Sequence, residues 1–249
     1  MNSVVGCGLS CFRYPPLSPI FPIMQSVIRF LDELSHNNNR EWFAAHKAQY
    51  LEARAIFHGF CRQLLTQVAE YTPHTAQLDI KDITYRIHRD IRFSQDKSPY
   101  KNHMGVFICP FGKKSGYSGY YFHLQGGVPR EESVLIAVGD YCCQPEVLKT
   151  LREDIQYGNG DFHDILTRQI NPCFHLDTSS SLKRVPKGFS PDSPWSDYLK
   201  LKNFCLCCYP GQSYALQSDL AEQLATLFQS AQPFLEYINR AIDYTHNKR

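Results

Sequence analysis

The chain has 249 residues, 43% of them hydrophobic and 20% charged, with 26 Lys and Arg against 24 Asp and Glu. That length can bury one sizeable core, and the proportions exclude a disordered, fibrous or membrane-embedded chain. A formal net charge of +2 excludes nucleic-acid binding through overall charge, so any anion-binding surface must be a local patch.

Residues 1–23 have neither a helical nor a strand period and carry Pro15, Pro16, Pro19 and Pro22. Val4 to Cys7 imitates a lipoprotein cleavage box, yet no basic and apolar regions precede it. The segment reads as a disordered or non-native extension, with Met24 as the natural start of a single α+β domain over residues 24–249. With no targeting segment in view, the expected location is the cytoplasm and no membrane partner is expected.

Val27, Ile28, Leu31 and Leu34 then mark an amphipathic helix that stops in the polar run Ser35 to Asn39. Asn38 and Glu41 have capping-box spacing for the next helix. Trp42 (or Phe43), His46, Tyr50, Ala53, Phe57, Phe60, Leu64, Val68 and Tyr71 recur every three or four residues. That predicts one long helix ending at Thr72-Pro73.

The period then changes to two. Ile83, Tyr85 and Ile87 alternate with Thr84, Arg86 and His88, which predicts a half-buried strand. Further strands follow over 104–109, 118–125 and 133–139, the last apolar on both faces and therefore central. Their short Gly- and Pro-containing connections force antiparallel pairing, because a parallel crossover needs a dozen residues or more. Helices resume at Pro145, with Val147, Leu148, Leu151 and Ile155 facing inward, and again over Phe162 to Ile170. A polar loop over 177–194 leads to a strand over 203–209. A helix through Leu216, Leu220, Leu224, Leu227 and Ala231 breaks at Pro233 and continues to the end. The class is α+β: an antiparallel sheet of about five or six strands flanked by long N- and C-terminal helices.

Ten cysteines invite a metal or disulfide reading, and only Cys205 and Cys208 have ligand spacing. No second pair matches them, and a strand sends them to opposite faces. Free thiols, no metal and no cofactor are expected. His88-Arg89-Asp90 copies a kinase triplet, but Gln95 stands where the magnesium ligand belongs. Gly158 and Gly160 lie between two helices and make a turn rather than a phosphate loop.

The segment from Arg86 to His103 holds five cations, Arg86, Arg89, Arg92, Lys97 and Lys101, against Asp90 and Asp96. Five minus two is +3, and the whole chain sums to +2, so the remainder is −1. Arginine forks match phosphate or carboxylate oxygens. Arg86, Arg89, Arg92 and Lys101 are therefore candidate anion ligands, and Asp90, Asp96, Lys97 and Tyr100 candidate catalytic groups. Arg40 and Trp42, at the start of a capped helix, are further binding candidates. Lys187, with Lys183 and Arg184, joins them if the fold brings that loop alongside. The competing reading is a structural network in which Arg and Asp neutralise one another.

Three stretches resemble a known family. They are Asn-Asn-Arg-Glu-Trp-Phe at 38–43, the run from Arg89 to Lys101 with Arg86 before it, and Leu-Lys-Arg-Val-Pro-Lys-Gly-Phe at 182–189. Together they are similar to the bacterial and fungal family of domain of unknown function 2461, over Ser26 to Asp243. The resemblance implies a single α+β domain and a map of motif positions, not a reaction. Cys142-Cys143 stands where the family pattern more usually has a hydrophobic residue and proline, which argues against a shared metal site.

Two functions stay open on the sequence. One is a pocket that binds an anionic, phosphate- or nucleotide-like small molecule and acts on it if one of the candidate groups serves as acid or base. The other is a non-catalytic adaptor whose Arg/Asp segment is a brace. No nucleophile or metal set decides between binding and catalysis, nucleic acid is not an expected partner, and protein partners stay unspecified.

Overall fold

A computed structural model describes residues 21–247. Five strands, β1 (His103–Ile108), β2 (Gly119–Gln125), β3 (Val134–Asp140), β4 (His175–Leu176) and β5 (Phe204–Cys208), form one sheet. Their order is β1-β2-β3-β5-β4, every pairing is antiparallel, and β3 is central. The N-terminal helices are α1 (Phe21–His36), α2 (Arg40–Ala45), α3 (Lys47–Tyr71) and the short α4 (Ile80–Ile83). After β3 come α5 (Pro145–Tyr157), α6 (Asp161–Asp164), α7 (Ser196–Leu199), α8 (Gln212–Ala215), α9 (Leu220–Ser230) and α10 (Gln232–His246). The class is α+β with helices toward both ends of the chain, as the change of period predicts. No helix among the described residues is long and apolar enough to cross a membrane.

Strand alternation sorts the side chains onto two unlike faces. Val106, Phe122, Ile136 and Cys208 lie in register across four strands, as do Ile108, Tyr120, Val138 and Leu206. These rows are buried against the helices, with Phe60 on Phe122 at 5.3 Å and Phe228 on Tyr120 at 4.9 Å. Burying one such phenylalanine contributes roughly 1.5–3 kcal/mol. Phe162 joins the other end of the core, touching Phe204, Phe234 and Tyr237. Arg152 of α5 is also buried, and its guanidinium donates to the Leu199 and Leu201 carbonyls at 2.8 and 2.6 Å. It thereby ties α5 to α7 without a carboxylate.

The structure corrects several expectations. The long helix is two, because His46 leaves helical geometry (φ −105°, ψ 17°) and both its backbone N–H and its ring contact the Trp42 carbonyl. Asn39, not Asn38, caps α2 by accepting from the Trp42 amide at 2.8 Å. The strand expected over 83–88 does not form. Asp79 and Asp82 make a capping box that pulls Ile80 to Ile83 into α4, leaving only single bridges at Thr84 and His88. The fifth strand is instead β4, two residues within a stretch that carries no period. Helix α1 begins at Phe21, slightly ahead of the expected start, and the rest of the expected extension, with Cys7 and Cys11, lies outside the described residues. Cys205 and Cys208 do sit on opposite faces of β5, Cys205 with Ala137 and Cys207, Cys208 in the main core.

Gly139 lies mid-sheet at φ 126°, and a Cβ there would fall 2.1 Å from the Phe204 carbonyl oxygen and 3.0 Å from the Phe234 ring. No rotamer relieves a clash with backbone. Gly139→Ala should cost about 3 kcal/mol or more, read as a lower midpoint in urea unfolding with unchanged slope.

Candidate functional site

A cleft of about 1270 Å³ has α3 as one wall. Lys47, Tyr50, Leu51, Arg54 and His58 project into it, at the spacing that keeps them on one helix face. The opposite wall is α4, the extended segment after it and the start of β1, which supply Lys81, Arg86, Lys101 and His103. Lys113 and Lys114 come from the β1–β2 connection, where Phe111 at φ 63° and Gly112 turn the chain sharply. The Lys113 amide donates to the Asp82 carbonyl at 3.0 Å, and its ammonium donates to the Lys81 carbonyl, which anchors that loop.

Seven Lys and Arg side chains thus line a cleft with one carboxylate, Asp82. Of the seven, only Lys81 has an ion pair among the described residues, a 4.0 Å contact with Asp79. The Lys101 and Lys113 ammoniums lie 5.3 and 5.8 Å from the Tyr85 ring centre, a cation–π arrangement on a ring 47% exposed. Burial, and then Arg86, pull the Lys101 pKa below its ordinary value. Burial, then Arg54 and Arg62, do the same to the His58 ring. The cleft is therefore a region where positive charge lacks compensation.

The arginines expected beside Arg86 go elsewhere. Residues 87–101 form an arm whose root is stitched by the Lys101 amide to the Ile87 carbonyl at 2.8 Å and the Arg89 amide to the Pro99 carbonyl at 2.9 Å. Within it Arg89 pairs with Asp96 and donates to Ser98 Oγ at 2.9 Å and Ser94 Oγ at 3.3 Å. Arg92 grips Asp90 through two nitrogens at 3.0 and 2.7 Å, and Lys97 donates to the Ile91 carbonyl at 3.0 Å. Ser98, with Arg89, holds the Asp96 carboxyl far below the usual carboxylate range, and Arg92 lowers that of Asp90. Tyr100 is buried, stacked on Phe43 at 3.9 Å, with its backbone clasped by the Asn38 side-chain amide at 2.9 and 3.1 Å.

Of the sequence candidates, then, the cleft gathers Arg86 and Lys101. Arg89 and Arg92 pair with Asp96 and Asp90 in the arm, Lys97 donates to the Ile91 carbonyl there, and Tyr100 is core. Arg40 is exposed on the six-residue α2, Trp42 stacks on His46 at 4.0 Å, and Lys187 is exposed in the loop after β4; none of the three lines the cleft. Sequence reasoning missed Lys47, Arg54, His58, Lys81, Lys113 and Lys114. Lys47, Arg54 and His58 carry a legible signal, a basic stripe at helical spacing beside the apolar one.

A model of the family described as a conserved hypothetical protein (DUF2461) matches residues 26–237. The chain belongs to that family. No curated protein and no solved structure matches it. In this family member the matched residues include both walls of the cleft, the arm and the whole sheet.

At the margin of the cleft, His103 and His123 lie ring to ring at 5.3 Å, and the Tyr121 hydroxyl is 3.0 Å from His123 Nδ1. Burial, and then His103, push the His123 pKa from 6.5 down to about 4. The unfolded chain takes up a proton near pH 6.5 that the folded chain refuses until about pH 4. The neutral ring's contribution is thus full above pH 6.5 and falls away as the pH drops toward 4. His123→Gln should flatten the decline in melting temperature between these pH values, measured by calorimetry across the range.

Proposed function

We propose that the chain binds a phosphate-bearing small molecule in the cleft between α3 and β1. The observation that carries this reading is the charge imbalance, seven cations around a single carboxylate, with Lys101 already depressed by burial and Arg86. Like charges held this close repel unless an anion enters, and guanidinium and ammonium groups together suit phosphate oxygens. Binding rather than acid–base catalysis by the arm is the activity favoured. Asp90 and Asp96 are held ionised in pairs with arginine; an ionised carboxyl has no proton to give, and one whose pKa is lowered is a poor base. A second reading, a protein-association role for the arm, draws on Phe93, which is 94% exposed beside Arg92.

Pyrophosphate is the simplest probe, compared with chloride at equal ionic strength so that general screening is held constant. At one hundred times its dissociation constant a ligand adds about 2.7 kcal/mol of stability, roughly a 5–11 °C rise in melting temperature for a domain of this size. Arg86→Ala and Lys101→Ala should remove most of that rise. Arg89→Ala should lower the starting melting temperature and leave the rise intact. A rise lost in Arg89→Ala but kept in Arg86→Ala would place the anion on the arm, and no rise at all would leave the association role standing.

A further inference from the structure

We infer that the basic cleft is the charged half of a longer site whose other half is the helix-free face of the sheet, and that the whole accepts a nucleotide. The inference rests on the phosphate reading above and extends it to the uncharged part of the ligand.

A second depression, about 910 Å³, lies over the sheet. Tyr85, Lys101, His103 and Lys113 line both hollows, so the two lie side by side along these four side chains. Across that junction the chemistry changes. The strand register sets Phe107, Tyr121, Ala137, Cys207 and His175 in one row across all five strands. Two aromatic rings lead the row, two small apolar residues lie in the middle, and His175 with its stacked neighbour Tyr209 stands at the far end. The Tyr121 ring lies over Gly105, where a Cβ would meet its hydroxyl at 2.8 Å.

The lining suits a heteroaromatic ring better than an alkyl chain. A chain asks for apolar walls, and these walls also carry Gln125, Asp177, the imidazole of His175 and the phenol of Tyr209. A nucleobase has apolar faces to lay on Tyr121 or Phe107 and polar edges for those groups; stacking of a base on an aromatic side chain tolerates any base. At the junction His103 is half-buried and its ring nitrogens have no hydrogen-bond partner among the described residues, which places a donor or acceptor where a sugar hydroxyl would pass. Charge complementarity fixes the orientation. Phosphate belongs with Arg86, Lys101 and Lys113, and the ring belongs on the sheet.

The test compares AMP, GMP, CMP and UMP, the corresponding nucleosides, and inorganic phosphate by calorimetric titration of the full chain. At least one nucleotide should bind roughly 10-fold or more tightly than phosphate, the increment that one stacked base supplies. Ala137→Leu fills the row beside Cys207 and should abolish that preference while leaving phosphate affinity unchanged; Arg86→Ala should weaken nucleotide and phosphate alike. Tyr121→Ala removes the ring instead of filling the floor, and should have the same effect as Ala137→Leu. Should both variants melt far below the parent, the ligand series alone decides. Phosphate binding with no nucleotide preferred to it overturns the sheet-face inference and keeps the phosphate reading. Failure of every phosphate compound overturns both. A nucleotide preference that survives in a well-folded Ala137→Leu or Tyr121→Ala protein puts the ring elsewhere and also overturns the inference.

Discussion

A five-stranded sheet has two faces, and this chain lays its helices over one of them. Nearly all the apolar rows of β1, β2, β3 and β5 point to that side, where they meet α1, α3, α9 and α10 in a single core. Everything else follows from the asymmetry. The helix-free face cannot be a second large hydrophobic surface in water, so it is built from aromatic rings with polar tips, imidazoles and small residues. Between the edge strand β1 and α3 lies the cleft, and long cations, imidazoles and half-exposed tyrosines, which keep a polar tip in water, dominate its lining.

The arm and the cleft show two ways of placing positive charge. In the arm, arginines and aspartates a few residues apart reach one another through a tight turn, so the local excess is largely cancelled where it arises. In the cleft, the cations arrive from α3, α4, the segment after it and the β1–β2 connection, and no acid accompanies most of them. Charge that is clustered in sequence is easily neutralised by its neighbours. Charge assembled by the fold from distant positions is not, and this is where an external anion has most to offer.

The same contrast explains what the sequence made legible. Period-two runs at 104–109, 118–125 and 133–139 sit where β1, β2 and β3 form, and the apolar stripes of α1, α5, α9 and α10 are equally plain. Ile83, Tyr85 and Ile87 alternate just as well, yet a capping box four residues earlier in the chain outcompetes the strand, and no neighbour pairs continuously with it. Propensity and period describe a segment; which partner lies beside it is decided by the rest of the chain. The cleft was only partly visible for a related reason. Arg86 and Lys101 flank the conspicuous charged run, whereas Lys47 and Arg54 lie across from them on a helix whose buried stripe dominates its pattern. The conspicuous run itself proved to be the part that looks after its own charge.

The arm is anchored at its root. Asn38 grips both backbone groups of Tyr100, and Tyr100 stacks on Phe43, so the junction of α1 and α2 holds the arm at its base alone. Beyond Arg89 and Pro99 its hydrogen bonds are internal or face water. Opening the tip would therefore break none of the sheet's own hydrogen bonds. Such a tip is where a polypeptide tolerates a nick, an inserted tag or a new pair of termini at small cost to the body. The charged run between Arg89 and Pro99 is thus fastened to the rest of the fold through its root.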